Sequence, residues 1–177
     1  VINIKERLEQ ISSQIEAAAG RSGRSAKDIT LVAVTKGVSA DMILSAVEVG
    51  IKIFGENRIQ DATAKIPTIV VPTIPAMIPV GTEQCSAQTP QGPTTAEIEW
   101  HMIGHLQSNK IKPALSLFQL IHSVDSARLA QKISEEAVAE NKVMPVLLEI
   151  NISGEEQKYG LRPEELYTAI DLIAECA

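Results

Sequence analysis

The sequence predicts an α/β fold of TIM-barrel type, with about five strand–helix units in a single domain spanning residues 1–177. Three observations predict it. Short apolar runs rich in Val and Ile alternate with stretches whose apolar residues recur every three or four positions. Capping and turn residues stand at the changeovers. The repeat length is roughly 20 to 26 residues outside one interruption, which suits parallel strands joined by right-handed helical crossovers.

Ile4, Leu8, Ile11, Ile15 and Ala18 share one helical face, so the chain opens with an amphipathic helix that Gly20 is expected to stop. Residues 21–28 are polar and read as a loop, and an apolar strand follows over 31–37. Ser39 can cap a helix carrying Met42, Ile43, Ala46 and Val47, which Gly50 ends. Residues 51–55 read as the second strand and 57–65 as a short helix; the third strand is expected over 99–104. Residues 108–118 are helical in pattern but hold Pro113, tolerable only in a first turn or at a kink. A fourth strand over 120–124 leads to a helix capped by Asp125 or Ser126 and burying Leu129, Ile133 and Ala137. The fifth strand is expected over 146–152. Pro163 suits the first position of a last helix that buries Leu166, Ile170 and Ile173.

The interruption covers about residues 67–96. Residues 67–95 hold six of the nine prolines and no Lys or Arg, and the spacing of Pro67, Pro72, Pro75 and Pro79 excludes a helix. An irregular insertion is expected there, emerging at the barrel face opposite the ligand-bearing one. It reads as a lid or docking segment, or as a tolerated insertion without function. Ile69-Val70-Val71 within it would be a sticky patch unless packed. A closed barrel of this kind has eight strands and at least about 200 residues, so five units predict an incomplete barrel with two open edges.

Composition narrows the function. A net charge of −6 argues against nucleic acid as the main partner, because phosphate binding needs a basic face. No apolar run approaches a membrane span, and the N-terminal residues lack the cationic-then-apolar order of a secretory signal. Cys85 and Cys176 lie far apart and fit a reducing cytoplasm better than a disulfide framework.

Lys36 carries the most chemistry. Alternation along Leu31-Val32-Ala33-Val34-Thr35-Lys36-Gly37 puts Val32, Val34 and Lys36 on one face. An ammonium buried among aliphatic side chains is destabilised, which lowers its pKa and makes it a nucleophile suited to a Schiff base with a carbonyl. The competing reading is a strand-end lysine that reaches solvent.

Three segments together carry a resemblance: the strand ending in Thr35-Lys36; Phe54-Gly55-Glu56-Asn57-Arg58; and Trp100-His101-Met102-Ile103-Gly104-His105-Leu106-Gln107-Ser108-Asn109-Lys110. The chain resembles the pyridoxal-phosphate homeostasis proteins, non-catalytic binders of pyridoxal 5'-phosphate (PLP) that share the TIM-barrel fold of the N-terminal domain of alanine racemase. The resemblance implies that Lys36 holds PLP as a Schiff base, that Asn57 helps position the ring, and that PLP-dependent apoenzymes are the acceptors. It also implies no turnover. The family's later strands supply a Ser- and Gly-rich phosphate cradle and an Arg-containing strand, and neither pattern follows Tyr159-Gly160-Leu161. The loop 154–160 carries two acids between glycines, which repel phosphate.

Two other readings stay open. A racemase-like enzyme would need a tyrosine or second lysine opposite Lys36, and Tyr159 and Tyr167, the only tyrosines, sit at no strand end. A fragment that binds no cofactor, needing another chain to complete its barrel, is the third class. His101 and His105 have the spacing of a metal pair but lack the following Glu and a third ligand, so no metal site is expected. Gln107, Ser108 and Asn109 read as helix caps or ligand contacts, and Glu135, Glu136 and Glu140 as a solvated helix face.

Overall fold

A computed structural model describes residues 3–69 and 98–175. The insertion beyond Ile69, including Val70 and Val71, lies outside the described residues, as do Cys85 and Cys176; Ile69 itself is buried. The described residues fall into two compact units, one holding 3–31 and 38–52 with Ile69 and Ile98, the other 32–37, 53–68 and 99–175.

In the first unit, helix α1 (Ile4–Arg21) starts at Asn3, whose Oδ1 accepts from the Glu6 N–H at 3.3 Å. Gly20 does not stop it. The stop is Gly23 at φ +70°, where the Arg24 N–H reaches Ala19 O at 2.9 Å and the Gly23 N–H reaches Gly20 O at 3.2 Å. A helix interior tolerates glycine at about 1 kcal/mol, whereas ending it this way needs a residue in the left-handed region. The polar loop contains a 3-10 turn, Ala26–Asp28, closed reciprocally by Ser25 and Asp28. Helix α2 (Ala40–Glu48) is capped by Ser39, which accepts from the Met42 N–H at 3.4 Å; Ile43, Ala46 and Val47 are buried, while Met42 is 47% exposed.

The second unit holds one parallel sheet. Strands β1 (Ala33–Val34), β2 (Ile53–Glu56), β3 (Glu99–Met102), β4 (Leu120–Val124) and β5 (Val146–Leu148) lie side by side in chain order. Sequential order is the barrel arrangement; a doubly wound sheet reverses at a switch point. The register links Val34, Gly55, His101 and Leu120 in one row, and Glu56, Met102 and Ile121 in another. Rows alternate between faces, because side chains paired across parallel strands point the same way. One face carries Phe54, Trp100, Met102 and Ile121, all buried, with the Phe54 and Trp100 rings 5.3 Å apart. Ala62 of α3 (Ile59–Lys65), Ala114 and Leu115 of α4 (Ile111–Leu117), and Leu129 and Ile133 of α5 (Ala127–Ala139) complete this core. The other face is open at both flanks, with Val34 and Leu147 each 49% exposed.

Several expected elements differ in extent. The first strand has two residues instead of seven, although the Thr35 N–H still bonds Gly55 O at 3.0 Å. The fifth ends at Leu148 because Asn151 folds the chain into a loop: its amide donates to Glu155 O and Lys158 O and accepts from the Gly154 N–H and the Ser153 hydroxyl. Pro113 sits in the first turn of α4, after a 3-10 turn at Ser108–Lys110, where no N–H is missed. Pro163 opens a 3-10 turn, Pro163–Glu165, before α6 (Leu166–Ala174). Only Ala169 of α6 is buried; Ile170 is exposed, since α5 covers just one side of the helix.

Candidate functional site

Lys36 follows the end of β1, and Asn57 the end of β2. Extending the Val34–Gly55 pairing by two residues sets Lys36 level with Asn57 on the open face. The burial expected for Lys36 does not occur. Val34 is half exposed and Lys36 exposed, because β1 is an outer strand of the sheet. The amine instead stands in solvent with no hydrogen bond or ion pair among the described residues, so the solvent-reaching reading describes it.

The backbone leading to that amine is held from the opposite face. Thr35 is buried, and its hydroxyl donates to Glu56 Oε1 at 2.7 Å and to Gly55 O at 3.2 Å. Lys65, one helix later, donates to Thr35 O at 2.7 Å and pairs with Glu56 Oε1. Glu56 is fully buried, and its Oε2 has no hydrogen-bond partner among the described residues. Position 56 falls in the same row as Met102 and Ile121, which drives the carboxylate inward; Lys65 supplies the charge that makes this tolerable.

The His-rich signature segment is organised by contacts the sequence did not reveal. Gly104 lies against the Asn57 backbone so closely that a Cβ would stand 2.2 Å from Asn57 O. Its carbonyl accepts from the Ser123 hydroxyl at 2.5 Å. His101 and His105, the pair with metal-like spacing, part company. His101 is buried on β3 with its Nδ1 3.0 Å from His122 Nε2 and its Nε2 3.6 Å from Glu99. Burial lowers the pKa of both histidines; Glu99 acts against this at His101, and the neighbouring His101 adds to it at His122. His105 instead meets Asp125 at 3.1 Å and stacks on Tyr159, with ring centroids 3.8 Å apart. Tyr159 is thus drawn to the strand-end side by the loop after β5. No cluster of three or more metal-ligating groups occurs among the described residues.

Asn57 and His105 line one cavity of about 440 Å³ together with Arg58, Gln107 and Lys110. Gln107 precedes the 3-10 turn yet makes no side-chain cap, so the capping reading fails for it. A larger cavity of about 700 Å³, between α5 and α6, includes none of the strand-end residues. An available primary amine beside an amide fits the aldehyde and ring of PLP, while the loop 154–160 offers its phosphate no basic group that is free, Lys158 being paired with Glu155.

The family described as the N-terminal domain of alanine racemase matches residues 7–177. The pyridoxal phosphate homeostasis protein of Vibrio cholerae is 32% identical over 172 residues, 97% of this chain and 64% of that protein. Its Escherichia coli counterpart is 34% identical over 173 residues, 98% of this chain and 65% of that protein. This chain therefore spans slightly less than two thirds of each relative. PipY of Synechococcus elongatus, solved with PLP bound, aligns at a TM-score of 0.72 and 27% identity, covering 99% of this chain and 66% of PipY. An alanine racemase of Clostridium difficile aligns at 0.53 and 15% identity, covering 82% of this chain and 32% of the racemase, a likeness of fold alone. The matched profile and the sequential parallel sheet agree: the chain belongs to the alanine racemase N-terminal domain family, and the relatives it matches there are pyridoxal phosphate homeostasis proteins.

Proposed function

We propose that this chain binds PLP non-catalytically and serves intracellular PLP homeostasis, with Lys36 as the attachment point and Asn57 orienting the ring. The observation that carries the reading is the exposed Lys36 amine, without hydrogen bond or ion pair among the described residues and level with Asn57 at the ends of adjacent parallel strands. PLP supplies an aldehyde that condenses with a lysine amine, and an exposed amine is accessible to it. The Thr35–Glu56–Lys65 network holds the peptide that presents this amine. The kinship with proteins named for PLP homeostasis supports the assignment, and PLP-dependent apoenzymes in the cytoplasm are the acceptors we propose.

The test is borohydride trapping after mixing the purified chain with PLP, followed by mass spectrometry of the labelled lysine. One label at Lys36, lost in Lys36→Ala, is the expected result. Labels scattered over surface lysines would sink the reading. A racemase-like activity is separated by incubating the PLP-loaded chain with L-alanine: a carrier leaves the optical rotation unchanged.

A further inference from the structure

The cavity beside Asn57 has a charge character of its own. Arg58 and Lys110 line it from the ends of β2 and the β3–α4 connection, and neither forms an ion pair among the described residues. Elsewhere among the described residues Lys65, Lys112, Lys142 and Lys158 each meet a carboxylate. Asn57 and Gln107 add neutral amide donors, and Asp61 is the cavity's one acid. His105 contributes an imidazole whose Nδ1 faces Asp125 at 3.1 Å. With Nδ1 turned to that carboxylate, Nε2 is the nitrogen left for a ligand.

We infer that this cavity is a subsite for a phosphate group, held by Arg58 and Lys110 with the side-chain amides of Asn57 and Gln107. Two separate cations with flanking amide donors suit a tetrahedral dianion better than a planar carboxylate, which a single bidentate arginine would satisfy. The phosphate has two sources: PLP itself, anchored at Lys36, or a separate phosphate compound bound next to it. Only the first rests on the PLP reading.

The probe is inorganic phosphate, titrated into the full chain while the His105 ring resonances are followed by NMR, with acetate in parallel. Saturable phosphate binding is expected, weakened about tenfold by Arg58→Gln and by Lys110→Gln, as befits loss of one charge-assisted contact. Lys112→Gln, on the outer face of α4, leaves it unchanged. Phosphate binding that ignores Arg58→Gln and Lys110→Gln, no saturation at all, or acetate binding equally well would each overturn the inference. Trapping PLP at Lys36 in Arg58→Gln then identifies the source. A matching tenfold loss assigns the phosphate to PLP, and unchanged trapping assigns it to a separate compound. Should PLP fail to label Lys36 at all while phosphate still binds, the PLP reading falls and the subsite stands.

Discussion

Glu56 and Lys65 form the most consequential pair at the residue scale, because the carboxylate is fully buried and the ammonium nearly so. Breaking a buried pair leaves an uncompensated charge, so Lys65→Met should cost about 3 kcal/mol or more in urea unfolding. Glu56→Met combined with Lys65→Met should recover more than half of that, since neither charge then needs solvation. A double variant as unstable as Lys65→Met alone would mean the Thr35 contacts dominate. The His101–His122 pair sets a pH dependence. Both pKa values are lowered in the fold, so the native state holds fewer protons than the unfolded chain just below pH 6.5. Its stability is fully present above about pH 6.5 and is lost as pH falls from there through the folded pKa values. Protonating both rings also leaves two donors face to face. His122→Asn should flatten the slope of the unfolding midpoint between about pH 7 and pH 5.

Among the elements, the turn after β3 is the least forgiving. Gly104 packs directly on the backbone at Asn57, and a backbone atom cannot swing aside as a side-chain tip can. Gly104→Ala should therefore lower stability by about 2 kcal/mol and displace Asn57, weakening the PLP binding proposed at Lys36 along with the fold. Loss of stability with normal trapping at Lys36 would separate the turn from the site. Local signals did well here. Ser39 and Ser126 cap their helices as their positions predict, and Pro113 falls in a first turn. Gly20 misled because a glycine inside a helix and one ending it look alike until φ is known.

For the molecule as a whole, the sheet of the second unit has β1 and β5 as its outer strands, unpaired on one side among the described residues. Val34 and Leu147 expose apolar surface at those two flanks. Open edges and bare apolar faces favour association. Sedimentation should show self-association rising with concentration. Leu147→Lys should reduce it while changing stability by no more than about 0.5 kcal/mol. Association unaffected by that substitution would direct attention away from this face.

The sequence by itself determined the order of strands and helices, their caps, and the candidacy of Lys36 and Asn57, because period, capping oxygens and strand-end position are local properties. Only the tertiary structure decided that Lys36 is exposed, that Thr35, Glu56 and Lys65 form one network, and that His101 pairs with His122 while His105 stacks on Tyr159. Those outcomes depend on the register between parallel strands and on which layer covers each face. Residues 9 to 54 positions apart meet there, and no local pattern encodes it.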